Sequence, residues 1–147
     1  MTGKELNTGM RRVGVVLKTT SREAGALGHE LLKELDRLGL EAVVDRESGE
    51  ALDSRSEVER EDLPGLVDLV VVLGGDGTLL SVTRGFLGGT PILGINMGTL
   101  GFLTEHPAES LFESLHTTLE GNAEIVRRER LQVTVESPGR ESIKRCV

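Results

Sequence analysis

Hydrophobic residues in the first 124 positions of the chain fall into short unbroken runs. Each run is rich in valine, isoleucine or leucine, which is typical of strands buried on both faces of a sheet. The predicted strands are residues 12–18, 41–45, 68–73 and 91–95. Between them, leucines recur at three- and four-residue spacing, which is typical of helices with one apolar face. The predicted helices begin after Ser21, at Leu79, and at Pro107 to Ser110.

The order of these elements predicts the class of fold. Strands that alternate with helices are joined by right-handed crossovers and lie parallel to one another. We therefore expect residues 1–124 to form an α/β domain with a doubly wound, mostly parallel sheet. The polar, acidic segment 46–61 interrupts the alternation, and we interpret it as a long loop with one helical turn.

A different pattern follows residue 124. Residues 131–136 alternate apolar and polar side chains, residues 137–140 have the composition of a turn, and residues 142–147 begin another strand. This is typical of a β-hairpin. We expect residues 125–147 to be the start of an antiparallel β domain within a longer protein. The alternative is that the hairpin extends the sheet of the first domain.

Composition narrows the classes of function. The chain has 147 residues, a net charge of −7, no Trp or Tyr and three Phe. An acidic chain with few aromatic rings is a poor binder of nucleic acid. It has one cysteine and no apolar run long enough to cross a bilayer. We expect a cytoplasmic protein that binds neither nucleic acid nor a membrane.

A glycine-rich segment, residues 74–78 (GGDGT), lies between a predicted strand and a predicted helix. Parallel α/β sheets bind ligands beyond the carboxyl ends of their strands. Backbone amides and a helix N-terminus attract anions there, and glycine lets a phosphate approach closely. We expect Thr78 to cap the helix that follows.

Asp76 decides which chemistry this segment suits. A carboxylate repels phosphate, but it can accept the proton of an attacking hydroxyl or act with a divalent cation. Phosphoryl transfer to an alcohol is therefore the function it indicates; the alternative is that Asp76 only shapes the turn. The segment lacks the lysine of a Walker A motif, and Leu80 replaces the third glycine of a dinucleotide-binding motif. The three histidines have no metal-ligand spacing, so we predict no metal site built by the protein.

A second loop, residues 96–104, follows the strand at 91–95. It begins at the same edge of the sheet and is expected to face the first loop. Phe102 lies where a planar ring of a ligand could rest against it; the alternative is a phenylalanine packed in the core.

The two loops together resemble a known family. Residues 74–78 resemble a signature shared by NAD kinases, diacylglycerol-type lipid kinases and phosphofructokinases. Residues 94–104 (GINMGTLGFLT) resemble the NAD kinase pattern and neither of the other two. Residues 127–131 are also similar to the NAD kinase entry into its second domain. The resemblance covers the whole chain and implies a Rossmann-like or phosphofructokinase-like fold.

The resemblance implies transfer of the γ-phosphate of ATP, or of polyphosphate, to the 2′-hydroxyl of the NAD adenosine ribose, giving NADP. It also implies Mg²⁺ as the assisting metal and a homo-oligomer, dimeric or tetrameric. A diacylglycerol-type lipid kinase and a non-catalytic nucleotide-binding module are the alternatives. Because further nucleotide contacts lie in the family's second domain, we expect the 147-residue chain alone to have little or no kinase activity.

The resemblance also implies roles for individual residues. Asp76 accepts the proton of the ribose hydroxyl. The cofactor- and nucleotide-binding set on the two walls of the crevice is Gly74, Gly75, Gly77, Thr78, Asn96 and Phe102. Within it, Gly77 contacts the dinucleotide, and Asn96 has bracing of its own loop as an alternative role. Lys18 and Arg22 are weaker candidates for ATP phosphates. Ser81 departs from relatives that carry a basic residue there.

Overall fold

The computed structural model describes residues 9–84, 88–139 and 143–146. The strands are β1 Arg12–Leu17, β2 Glu41–Val44, β3 Leu69–Gly74, β4 Ile92–Asn96, β5 His106–Pro107, β6 Gln132–Val135 and β7 Ile143–Cys146. The helices are α1 Arg22–Arg37, α2 Arg46–Ala51, α3 Asp76–Thr83 and α4 Leu111–Leu119. Two 3₁₀ turns cover Leu63–Gly65 and Ala108–Ser110.

The first five strands form one parallel sheet in the order β2-β1-β3-β4-β5. Strand β3 lies at its centre, with Val71 paired to Val15 on one side and to Leu93 on the other. The predicted α/β class and the doubly wound parallel sheet are confirmed. The two-residue strand β5 was not predicted, because it carries too few residues to show a periodic pattern.

All six residues of β3 are buried because the sheet is covered on both faces. Leu69, Val71 and Leu73 belong to one apolar cluster, together with side chains of α1 and α4. Val70 and Val72 belong to a second cluster that includes Val82 of α3 and Leu63 and Val67 before the strand. A strand that packs against an apolar layer on each face has apolar residues at consecutive positions, as β3 does.

The structure corrects the start of α3. The helix begins at Asp76 and not at Leu79, since Gly75 is the residue before the first turn and its carbonyl accepts a hydrogen bond from the Leu79 amide at 3.1 Å. Thr78 therefore lies within the first turn, and the prediction that it caps the helix is wrong. The predicted end of this helix, residues 85–87, lies outside the described residues. In segment 46–61, α2 supplies the expected helical turn.

Strands β6 and β7 pair antiparallel, with Val133 opposite Arg145, and form a sheet of their own. The predicted hairpin is confirmed, and the alternative that it extends the first sheet is wrong for the strands that the structure describes. The boundary after residue 124 stays a prediction. Within residues 9–84, 88–139 and 143–146, no helix has the length and apolar character that crossing a bilayer requires.

Candidate functional site

The two predicted loops start side by side at the carboxyl edge of the sheet. Gly74 at the end of β3 pairs with Asn96 at the end of β4. The Met97 amide also donates a hydrogen bond to the Gly74 carbonyl at 3.0 Å. Because β3 and β4 are parallel neighbours, the residues after them emerge in the same direction. The structure therefore brings the glycine segment 74–78 and the second loop 96–104 together, as the sequence predicted.

The turn from β3 into α3 is short, and its glycines differ in what they meet. A Cβ on Gly74 would lie 2.6 Å from Oγ1 of Thr78, so the backbone there passes too close to the Thr78 side chain for a larger residue to fit without a shift. A Cβ on Gly75 or Gly77 would meet no atom within 4 Å. The fold therefore requires glycine at position 74 but not at positions 75 and 77. Small residues at those two positions leave open space beside the first turn of α3, where backbone amides lack intrahelical partners.

The Asp76 carboxylate joins the two loops. Its Oδ2 accepts a hydrogen bond from the Phe102 amide at 2.8 Å. Its Oδ1 accepts one from the Leu103 amide at 3.1 Å and two from Thr104, from the amide at 3.1 Å and from the hydroxyl at 3.0 Å. A Cβ on Gly101 would lie 2.2 Å from the same Oδ1, so glycine at 101 is what admits the carboxylate.

These donors set the ionisation of Asp76. The Phe102 amide above all, followed by the Thr104 and Leu103 groups, lowers the pKa of the carboxyl below its ordinary value, while burial opposes the shift. Hydrogen bonds to the charged form of an acid have this effect because they are lost when it is protonated. Asp76 is therefore an ionised carboxylate at neutral pH. It does more than shape its own turn, since every one of these donors belongs to the other loop.

The side chain of Asn96 faces inward and is 4% exposed. Its Oδ1 accepts a hydrogen bond from the Gly98 amide at 2.7 Å, and its Nδ2 donates one to the Thr104 hydroxyl at 2.8 Å. The amide is thus engaged at both ends within its own loop. Asn96 therefore braces its own loop. This is one of the two roles considered for it from the sequence, the other being direct contact with the nucleotide.

Phe102 points the other way, and its side chain is 79% exposed. The alternative of a phenylalanine packed in the core is therefore wrong. The guanidinium of Arg128 lies 5.9 Å from the centre of the ring, within the range of a cation–π contact. A large apolar ring with this exposure is available for contact with another planar group.

Two residues that the sequence did not single out make contacts here, Thr104 within the site and Arg60 with the neighbouring helix α3. Thr104 is fully buried, and its hydroxyl links Asn96 to Asp76. Arg60, from the polar segment after α2, donates hydrogen bonds to the buried Asp45 at 3.0 Å and to Ser81 of α3 at 3.2 Å. Thr104 carried a signal, because a hydroxyl at the end of a glycine-containing loop is a candidate brace. Arg60 carried none, since its partners are distant in sequence.

The remaining candidates lie at the edge of the site or outside it. Lys18 and Arg22 are exposed after β1, next to the central strand. His116 contacts Glu34 at 2.7 Å, and His106 contacts Ser114 at 3.2 Å. Nowhere in the described part of the chain do three or more histidine, cysteine or acidic side chains gather as metal ligands would.

Comparison with known proteins identifies the family. Residues 13–123 match the family model of the ATP-NAD kinase N-terminal domain. This chain belongs to that family. The resemblance seen in the two loops is thereby confirmed, and the lipid kinase alternative is set aside.

Curated relatives point to the same family. The NAD kinase of Geobacter sulfurreducens is 37% identical over 134 residues, which is 90% of this chain and 47% of that protein. The NAD kinase of Acidobacterium capsulatum is 38% identical over 134 residues, with the same shares covered. The chain thus spans about half the length of these relatives.

Two solved structures share the fold. Yeast NADH kinase complexed with NADH superposes with a TM-score of 0.78 at 22% identity, over 93% of this chain and 46% of that one. The NAD kinase of Archaeoglobus fulgidus in complex with ATP gives a TM-score of 0.56 at 26% identity, over 84% and 40%. These likenesses confirm the expected fold class.

Proposed function

We propose that this chain supplies the α/β part of an NAD kinase. The enzyme would transfer the γ-phosphate of ATP, or a phosphate of polyphosphate, to the 2′-hydroxyl of the NAD adenosine ribose. The observation that carries the proposal is the Asp76 carboxylate, ionised and fixed between two loops at the carboxyl edge of the sheet. Relatives named NAD kinase, and related structures holding NADH and ATP, agree with these substrates.

In the proposed reaction, the ribose oxygen forms a bond to the γ-phosphorus of ATP. The bond from that phosphorus to the bridging oxygen breaks, and ADP leaves with the electron pair. The hydroxyl proton passes to Asp76. A carboxylate of lowered pKa is a weak base, but a loose phosphoryl-transfer transition state needs the proton only late. The main contribution of Asp76 is then to orient the hydroxyl and to receive its proton as the new bond forms.

The glycine turn would hold the nucleotide. Because the fold does not require glycine at 75 and 77, their open space favours close approach of a ligand to the backbone. Gly77 would contact the dinucleotide, and Gly74, Gly75 and Thr78 would line the phosphate side at the N-terminus of α3. Asn96 would shape the opposite wall through its brace.

Phe102 would meet a planar part of the nucleotide on that same wall. Its exposed ring is the property of this residue that supports the proposal.

The family resemblance implies Mg²⁺ as the assisting metal. Among the described residues, no three or more acidic, histidine or cysteine side chains gather as metal ligands would. These residues do not fit a metal site built by the protein alone, and no step of the proposed reaction runs through one. We propose that Mg²⁺ enters with the ATP phosphates, where such ions keep most of their waters.

We also propose that residues 125–147 begin a second, antiparallel domain. Leu131 is 75% exposed and Val135 54%, and Ile125 and Val126 are exposed as well. Several exposed apolar side chains in one segment support the proposal that this segment packs against further structure. The cytoplasmic location and the dimeric or tetrameric assembly remain predictions, to be tested by cell fractionation and by light scattering.

The test uses a chimera in which this chain replaces the matching 134 residues of the Geobacter sulfurreducens relative. We expect the chimera to make NADP from NAD and ATP, and the 147-residue chain alone to show little or no turnover. Asp76→Asn in the chimera should lower kcat by about 10²–10⁴-fold, the range for loss of a general base. NAD binding, measured by calorimetry, should change much less.

Asp36→Asn is the matched control, because Asp36 is an exposed acid on α1 away from the loops. Full turnover in the Asp76→Asn chimera would show that Asp76 is not the proton acceptor. A folded chimera that binds NAD but forms no NADP would instead favour a non-catalytic nucleotide-binding module.

A further inference from the structure

Three hydrogen bonds run in one direction through the second loop and end on Asp76. The Gly98 amide donates to Oδ1 of Asn96 at 2.7 Å. Nδ2 of Asn96 donates to the Thr104 hydroxyl at 2.8 Å. That hydroxyl donates to Oδ1 of Asp76 at 3.0 Å. The chain therefore links two of the predicted site residues through a third that the sequence did not single out.

The direction of these bonds is fixed by chemistry. A backbone amide can only donate, so the atom of Asn96 that meets Gly98 must be its oxygen. The nitrogen of Asn96 then faces Thr104 and occupies the hydroxyl as an acceptor. The single proton of that hydroxyl is left for Asp76. Each bond in such a series polarises the next, which strengthens the last one.

The two oxygens of Asp76 are used unequally. Oδ1 accepts three hydrogen bonds, from the Leu103 amide and from the amide and hydroxyl of Thr104. Oδ2 accepts one, from the Phe102 amide. A carboxylate oxygen has two lone pairs in its plane, so Oδ1 is saturated and Oδ2 retains acceptor capacity. Oδ2 is also the oxygen on the side of the exposed Phe102.

We propose that Thr104 is a positioning residue for Asp76, which holds Oδ1 in the second loop so that Oδ2 receives the substrate hydroxyl. Thr104 is fully buried and touches the reaction only through Asp76. The inference rests on the proposed function in one respect, that Asp76 faces a reacting hydroxyl. The positioning itself is a property of the free protein and is tested without substrate.

The first test measures the titration of the Asp76 carboxyl carbon by NMR in the 147-residue chain. Thr104→Val keeps the shape of the side chain and removes the hydroxyl, whereas Thr104→Ser keeps the hydroxyl. We expect Thr104→Val to raise the pKa of Asp76 and Thr104→Ser to leave it near that of the unchanged chain. Thr118→Val is the control, because the Thr118 hydroxyl bonds to the Ser114 carbonyl within α4.

An unchanged Asp76 titration in Thr104→Val would overturn the proposal. So would a Thr104→Ser variant that behaves like Thr104→Val. If Thr104→Val does not fold, the NMR signal of the Thr104 hydroxyl proton in the unchanged chain still tests the hydrogen bond to Asp76. That signal should move as Asp76 is protonated, and a signal that does not respond would contradict the hydrogen bond.

The second test uses the chimera with its NADP readout. Thr104→Val should lower kcat by about 10–150-fold, the size expected for one lost hydrogen bond to a charged group, with a smaller change in KM for NAD. Thr104→Ser should restore most of kcat. An unchanged kcat in Thr104→Val, alongside a shifted titration, would refute Oδ2 as the working oxygen. A chimera without turnover would refute the proposed function and leave the positioning to be decided by NMR.

Discussion

The turn between β3 and α3 takes its shape from its own backbone, whereas the loop between β4 and β5 takes its shape from a side chain of that turn. In the first, the strand runs directly into the helix, and Gly74 passes against the side chain of Thr78 in the first turn of that helix. In the second, three consecutive residues, 102–104, point their amides at Asp76. The first of the two loops is therefore built locally, and the shape of the second depends on the first.

This difference explains why the same residue bears on both structure and chemistry. A carboxylate that receives four hydrogen bonds is held in one orientation, and the groups that hold it lower its basicity. An enzyme that relies on positioning tolerates such a weak base. The second loop is thus preorganised by the residue that it positions in return.

The largest effect on this arrangement is expected from Gly101→Ala. The new Cβ would overlap Oδ1 of Asp76, so the carboxylate has to leave and the second loop loses its four bonds. We expect a loss of stability of about 1–3 kcal/mol, as for overpacked interiors, seen as a lower Tm. Gly98→Ala is the matched control, since a Cβ there meets nothing within 4 Å. Equal Tm values for the two variants would contradict the dependence of the second loop on Asp76.

A smaller change in stability, of opposite sign, is expected for a substitution in the first loop. Gly77→Ala adds a Cβ in open space within α3, so it should stabilise the helix by about 0.5–1 kcal/mol. If the absence of a side chain at Gly77 lets the dinucleotide approach the backbone, the same variant should weaken NAD binding by the chimera. Thermal melts and calorimetry together check this prediction. A variant that is more stable and binds NAD as well as before would show that Gly77 does not approach the dinucleotide.

The smallest effect is a loss of stability of the second loop at low pH. The pKa of Asp76 is lowered in the folded chain, so its stabilising contribution is complete above the unfolded pKa of about 3.9 and is lost as pH falls through the folded value. Amide exchange at 102–104 should therefore accelerate in that acid range before exchange in β3 does. In Asp76→Asn this local pH dependence should vanish. If it persisted, another group would be responsible.

Several features could be read from the sequence because their causes are local. The apolar run of β3 requires cover on both faces, and the glycines after it mark where the chain turns into a helix. The pairing of the two loops also followed, since parallel strands end at one edge. The start of α3 was misplaced by three residues because glycine and aspartate have low helix propensity. The structure nevertheless places Asp76 and Gly77 in the first turn of the helix.

What only the tertiary structure decided is which groups of distant segments meet. The sequence determined a parallel α/β fold, a glycine turn and an acid in it, since periodicity and glycine placement report on backbone geometry. It did not show that Thr104 completes a hydrogen-bond chain to Asp76, or that Arg60 crosses to Asp45 and Ser81. Such contacts join residues 15–28 positions apart in the chain. They depend on how close the packed strands bring their loops, and no local pattern records that distance.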